Sequence, residues 1–139
     1  ADNGVWKPMS VIETTDSWVY STAAFRSMNN STANRLQVVR CLDDEPAIVR
    51  VRTLAQSTAA NDFCAAGIGV DSTTVNSAKL WGAYTPAANQ NVYAEPTYQD
   101  LPGVGFHFFQ PLEQAGAAGT MTGFGDNGGQ SGISGLVKV

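Results

Sequence analysis

His107 is the single histidine of the chain and the first side chain to consider for acid–base or metal chemistry. It lies between aromatic residues, in the run from Phe106 to Phe109. A metal site would need several further ligands converging on this histidine, and a catalytic triad would need a serine in a nucleophile setting. The sequence has no Gly-x-Ser-x-Gly motif. We therefore predict that His107 is a packed strand residue, neither catalytic nor metal-binding.

Three short acidic or glycine-rich stretches also fail to form a chemical signature. Asp43, Asp44 and Glu45 are adjacent on a predicted turn and point in different directions, whereas a retaining glycosidase needs two carboxyls about 5 Å apart. Residues 126–129 (Asp-Asn-Gly-Gly) lack the later acidic ligands of a calcium loop and predict a tight turn. Residues 103–105 form half a dinucleotide fingerprint before a strand instead of a helix. We predict a protein that is not an enzyme and has no cofactor or metal.

The two cysteines, Cys41 and Cys64, are 23 residues apart, a spacing that fits neither a zinc site nor a redox motif. Two outcomes remain open: one disulfide between adjacent strands, or two buried thiols that pack as small apolar residues. Both cysteines lie in apolar, strand-like runs, which favours the buried thiols.

Residues 71–100 show little periodicity and contain a group of large amphipathic side chains. A long irregular segment in a compact domain is usually functional or lies at an interface. Tyrosine and tryptophan offer a large contact area at low entropic cost, useful for stacking on a sugar or on another protein. The alternative is that they cover the core as lids. The candidate recognition surface comprises Trp81, Tyr84, Tyr93 and Tyr98.

Composition excludes several classes of function. The 139 residues suffice for one domain, predicted to span 1–139. Only 14% of them are charged, against roughly 25% in ordinary domains, which suits a protein outside the cell or inside an assembly, or simply a glycine-rich all-β domain. The net charge of −4, with Asp43, Asp44 and Glu45 lying among the arginines, speaks against nucleic-acid binding. No apolar run reaches the roughly 18 residues of a membrane helix, so no membrane insertion is predicted.

The elements that must position these side chains are predicted to be strands. Residues 1–16 are predicted to form an irregular N-terminal arm anchored by Trp6. Residues 35–42 and 47–54 alternate in polarity around an acidic, proline-containing connection, which predicts a hairpin. Its core face comprises Leu36, Val38, Val49, Val51 and Thr53, and its other face, for solvent or a subunit, comprises Gln37, Val39, Arg50 and Arg52.

Residues 63–70 form a strand of small residues that lets another backbone or a bulky side chain approach closely. No 3.6-residue apolar period persists anywhere in the chain. Short alternating runs separated by turn signals predict an all-β fold, an antiparallel jelly-roll-like β-sandwich of about eight strands.

The segments 66–74, 101–113, 119–125 and 130–135 together resemble the C-terminal regions of tailed-bacteriophage virion proteins, of the tail-fibre, head-fibre or capsid-decoration type. This resemblance covers about half of the chain and implies a jelly-roll β-sandwich without catalysis. It also implies a structural or host-attachment role on the virion surface, as a trimer that contacts other virion proteins and a host-surface glycan or protein. Low charge agrees with self-association, because interfaces are depleted of Lys, Glu and Asp.

Two other classes of function stay open. A secreted carbohydrate-binding β-sandwich is favoured if the four aromatic residues line one exposed strip. A small secreted hydrolase would need His107 to be exposed beside a carboxylate. No binding residue follows from the resemblance itself.

Overall fold

The computed structural model describes residues 4–126 and 128–139. These residues contain twelve strands and one short 3₁₀ turn at Met28–Asn30. None of the described elements is a helix with the length and apolar character needed to cross a membrane. The strands are β1 (Trp6–Ile12), β2 (Ser17–Tyr20), β3 (Arg26–Ser27), β4 (Leu36–Arg40), β5 (Ala47–Ser57), β6 (Asp62–Val70), β7 (Ala83–Thr85), β8 (Val92–Ala94), β9 (Thr97–Asp100), β10 (Gly105–Ala115), β11 (Met121–Phe124) and β12 (Gly132–Lys138).

Two antiparallel sheets pack face to face. The first sheet has seven strands: β12, β11, β8 and β9 all pair with the long strand β5, while β1 pairs with β12 and β2 pairs with β11. The second sheet has five strands: β3 and β4 pair with one edge of β10, and β6 and β7 follow on the other side. The predicted all-β sandwich is confirmed.

Two parts of the chain contain more strand than predicted. The arm predicted as irregular over 1–16 holds β1, which pairs with β12 at seven register positions from Trp6 to Ile12; that prediction was wrong. The weakly periodic segment 71–100 contributes the short strands β7, β8 and β9. These additions raise the strand count among the described residues above the predicted eight. Both segments lack strong alternation because their strands are short or lie at a sheet edge.

The predicted hairpin of residues 35–54 is wrong in its pairing and right in its faces. Strand β4 pairs with β10 in the second sheet, whereas β5 pairs with strands of the first sheet. The two runs therefore face each other across the sandwich and are not hydrogen-bonded neighbours. The faces are as predicted: Leu36, Val38, Val49, Val51 and Thr53 are buried, and Gln37, Val39, Arg50 and Arg52 are exposed.

A buried arginine explains why the chain turns a corner between the sheets here. The Arg40 side chain has no exposed surface. Its Nε donates to the Lys138 carbonyl at 3.2 Å, and its Nη2 donates to the Glu45 carbonyl at 2.6 Å. Its Nη1 forms an ion pair with Asp43 at 3.1 Å. These bonds fix the acidic connection as a crossover, since a buried guanidinium must have its donors satisfied.

The small residues of β6 admit another part of the same chain. A Cβ built at Gly69 would lie 2.0 Å from the Ser72 carbonyl oxygen, and one at Gly67 would lie 2.8 Å from the Asn76 side chain. Asn76 Oδ1 also accepts a hydrogen bond from the Ile68 amide at 3.0 Å. The predicted close approach is therefore made by residues 71–78, which lie against Gly67 and Gly69 of β6.

A buried carboxylate connects the two sheets. Glu113 on β10 has no exposed surface and accepts a hydrogen bond from the Trp18 indole Nε1 at 2.6 Å. Its other oxygen pairs with Arg26 Nε on β3 at 2.7 Å. Trp18 belongs to the first sheet and lies over Gly123, where a Cβ would come within 2.4 Å of the indole. The indole thus reaches the second sheet because its neighbour on β11 is a glycine.

The first prediction concerns the core valine of β5. Val51 is buried, so Val51→Ala should lower the free energy of unfolding by about 1–3 kcal/mol through lost burial and a residual cavity. Urea denaturation measures this change. Val19→Ala is the matched control, because Val19 also lies in a strand but is 64% exposed. Equal losses from the two variants would contradict the burial argument.

The second prediction concerns the pH dependence of stability. Burial raises the pKa of Glu113, and the hydrogen bonds from Trp18 and Arg26 only partly oppose this. A carboxyl group whose pKa is raised by folding stabilises the folded state at a pH below its unfolded-state pKa. This contribution is lost as the pH rises through the folded-state pKa. The melting temperature of Glu113→Gln minus that of the unmodified chain should therefore increase from about pH 4 to about pH 7.

Glu13 provides a control, because its pKa is shifted in the opposite direction. Burial raises its pKa, but hydrogen bonds from Thr15, Asn34 and Asn29 outweigh that effect and hold the pKa below its usual value. A lowered pKa contributes stability that is present above the unfolded-state value and lost as the pH falls. The melting temperature of Glu13→Gln minus that of the unmodified chain should therefore decrease over the same rise in pH. Parallel trends for the two variants would contradict the assignment.

Candidate functional site

The four aromatic residues of the candidate recognition surface do not lie together. Trp81, Tyr84 and Tyr93 are exposed, at 43%, 68% and 49%. Tyr98 is only 8% exposed and packs against Phe109, with the ring centroids 5.8 Å apart. Tyr98 is therefore a core residue, and its place on the recognition surface is corrected. Its neighbours on β9 point outward while it points inward, because side chains alternate along a strand.

Phe63 joins two of the exposed rings. It lies directly opposite Tyr84 in the pairing of β6 with β7, and the ring centroids are 5.1 Å apart. Trp81 meets Phe63 edge-on at 5.5 Å and Phe25 at 5.4 Å. Gly82 has a φ of +91°, and a Cβ there would lie 2.5 Å from the Phe63 ring. The glycine lets the chain turn so that Trp81 is held by neighbours while part of its ring stays open.

Trp81 and Tyr93 line one shallow cleft, here called the aromatic cleft. Its volume is about 530 Å³. Tyr93 projects from β8, opposite Leu54 of β5, and the Arg52 guanidinium lies 4.8 Å above the centre of its ring. Tyr84 does not line this cleft. The described lining residues are Lys79, Leu80, Trp81, Gly82, Tyr93 and Glu95.

A second concavity of about 500 Å³, here called the arginine groove, adjoins the aromatic cleft and shares Glu95 with it. Its floor is the outer face of the first sheet. One side chain from each of four adjacent strands meets there in register. Ser10 of β1 is paired with Ser134 of β12, Ser134 with Arg50 of β5, and Arg50 with Thr97 of β9.

The two arginines of the groove differ in what holds them. Arg52 donates to the Gly129 carbonyl at 2.8 Å and stacks over Tyr93, so its position is fixed by the fold. Arg50 is exposed and makes no hydrogen bond or ion pair with any described residue. The groove therefore presents one free guanidinium between hydroxyl groups, beside one that is already engaged.

His107 is a structural residue. Its Nδ1 lies 2.7 Å from Asp71 Oδ2, and its Nε2 lies 3.2 Å from the Gly103 carbonyl. Asp71 also accepts the Phe108 amide at 2.9 Å. A hydrolase would need an exposed histidine beside its carboxylate, but this imidazole is buried and both nitrogens are engaged. Among residues 4–126 and 128–139, no group of three metal-ligating side chains converges.

The cysteines are free, and only one of them is buried. Cys64 lies in the core, where burial raises the pKa of its thiol to about 11. Cys41 directly follows β4 and is exposed, so the prediction of two buried thiols was wrong for this residue. The corner fixed by Arg40 turns Cys41 outward. In the predicted tight turn at 126–129, the Gly129 amide donates to the Asp126 carbonyl at 3.1 Å; Asn127 lies outside the described residues.

Comparisons with known proteins identify no family. No family model matches the chain, and no curated protein matches it. Among solved structures, the chain is similar to the C-terminal domain of EclA, described as a sugar-binding protein. The match covers 88% of this chain and 81% of that one, with 7% identity and a TM-score of 0.43. A likeness of this extent does not bear on what this chain binds.

Sequence reasoning missed the arginine groove as a site. It placed Arg50 on an exposed face, but Ser10 fell in the segment predicted as an irregular arm, and Ser134 and Thr97 had no assigned neighbours. The available signal was the alternation of exposed polar residues around Arg50 and Ser134. Alternation identifies a face but does not tell which strands lie side by side.

Proposed function

We propose that this chain is a non-enzymatic carbohydrate-binding domain whose ligand lies in the aromatic cleft. The observation that carries this proposal is the placement of Trp81 and Tyr93, two exposed aromatic rings, in one cleft with Lys79 and Glu95. Aromatic rings pack on the apolar C–H faces of sugars, while charged and polar groups hydrogen-bond to the sugar hydroxyls.

Rigidity of the two rings supports binding. Trp81 packs edge-on against Phe25 and Phe63, and Tyr93 is covered on one face by Arg52. Side chains that are already ordered lose little conformational entropy when a ligand arrives. The cleft is therefore suited to a ligand that offers many hydroxyls and few charges over a flat face.

The number of carboxylates in the aromatic cleft favours recognition of a sugar over its hydrolysis. Glu95 is the only carboxylate among the described residues that line it. Glycosidases of the common classes need a pair of carboxyls, about 5 Å apart in retaining enzymes and about 6.5–9.5 Å apart in inverting ones. The low charge of the chain, 14% of residues, suits a secreted module.

The third prediction tests this function directly. Titration calorimetry against neutral oligosaccharides of glucose, galactose, mannose and N-acetylglucosamine should identify a ligand. Trp81→Ala and Tyr93→Ala should each weaken its binding about tenfold or more, as expected for aromatic anchors. Tyr84→Ala, an exposed tyrosine outside the cleft, should bind normally. Unchanged binding by folded Trp81 and Tyr93 variants would overturn the proposal, and so would the absence of any ligand among neutral and acidic oligosaccharides.

A second candidate function is self-association on a virion surface, as the resemblance implies. It is favoured by an exposed apolar patch on the second sheet, where Phe106 of β10 pairs with Val39 of β4. These side chains are 57% and 61% exposed, and Val104, two residues before Phe106 in the chain, is also exposed. The small residues of strand 63–70 would let neighbouring subunits pack closely if that strand lay near a trimer axis, but Gly67 and Gly69 already have residues 71–78 of the same chain against them. That part of the support for a trimer is withdrawn.

The fourth prediction separates the two candidates. A self-associating virion protein should sediment as an oligomer at micromolar concentration, and Phe106→Ser should reduce it to the monomer by removing apolar contact area. Val19→Ser, an exposed valine on the first sheet, is the control and should leave the mass unchanged. A single species near 14.7 kDa for the unmodified chain would contradict self-association.

A further inference from the structure

We infer that the arginine groove binds the carboxylate of an acidic sugar residue, so that the ligand of this domain is an acidic glycan. This inference rests on the proposed carbohydrate-binding function and assigns a second subsite to it. The neutral part of the glycan would lie in the aromatic cleft, and its charged residue would lie on the outer face of the first sheet.

Arg50 provides the charge for this subsite. It is exposed at the floor of the groove and has no partner among the described residues. A guanidinium presents a planar pair of N–H donors that matches the two oxygens of a carboxylate. The chain has a net charge of −4, so the groove offers a local positive site on a protein that is negative as a whole.

The neighbours of Arg50 provide the sugar contacts. Ser134 and Thr97 flank it on the two adjacent strands, and Ser10 follows on the next strand. Adjacent strands lie about 4.8 Å apart, so one hydroxyl group stands on each side of Arg50 and a third stands one strand further along the row. Each hydroxyl can donate and accept, as sugar hydroxyls do.

The groove borders the aromatic cleft at a shared residue. Glu95 lines both, and Arg52 reaches from the groove to cover the Tyr93 ring. The two concavities measure about 500 and 530 Å³, each within the range of roughly 300–1,000 Å³ found for small-ligand sites. A ligand of several sugar residues would span both. Arg52 has one donor on the Gly129 carbonyl and its face over Tyr93, so Arg50 is the more open of the two guanidiniums.

The fifth prediction compares acidic oligosaccharides with matched neutral ones. The probes are oligosaccharides that contain both neutral and acidic residues, glucuronate with N-acetylglucosamine and sialic acid with galactose, each beside its carboxyl-reduced form. At least one acidic oligomer should bind about tenfold more tightly than its reduced form, and added salt should weaken this preference. Arg50→Ala should abolish the preference, so that the acidic oligomer binds no more tightly than its reduced form. Arg50→Lys should restore part of it, since lysine keeps the charge but not the planar fork.

Lys7→Ala is the charge-matched control, because Lys7 is exposed on β1 and does not line the groove; it should keep the preference. Equal binding of acidic and reduced oligomers would overturn this inference and leave the carbohydrate-binding function standing. A preference that survives Arg50→Ala would overturn it as well. Failure of every oligosaccharide to bind would overturn both.

Discussion

The fold depends on a carboxylate that has lost all contact with solvent. Glu113 of the second sheet is held by the Trp18 indole of the first sheet and by Arg26 at the edge of its own. Burying this group is costly, as its raised pKa indicates, and the cost is met only if both partners are in place. Trp18 can reach Glu113 only because Gly123 leaves room for the indole. One glycine, one indole and one guanidinium thus fix how the sheets lie on each other.

Much of the fold could be predicted from the sequence because burial follows alternation. The inward positions Val49 and Val51 and the outward positions Arg50 and Arg52 were predicted correctly. Alternation does not say which sheet a strand joins, so β4 and β5 were predicted to pair when they lie in opposite sheets. That choice is made by the buried guanidinium of Arg40, whose partners include a carbonyl 98 residues away. Contacts at such separations leave no local pattern.

The candidate site was predictable only in part, because local sequence patterns show which residues are exposed but not which strands are neighbours. Amphipathic residues in an irregular segment identified Trp81 and Tyr93, whereas Tyr98 was misplaced because its strand of four residues was too short to show alternation. The arginine groove draws its residues from four strands that are far apart in the chain and adjacent only after pairing. Exposure of Arg50 was visible in the sequence; the serines and the threonine beside it were not.

The row formed by Ser10, Ser134, Arg50 and Thr97 exists only while four strands keep their register. A slip of one residue in any of them would send its side chain into the core and bring a core residue out. A molecule held across the row would therefore bind the intact sheet and not a form in which β1 or β9 has frayed. By mass action, its binding would stabilise the form in which the edge strands are paired with the centre of the sheet.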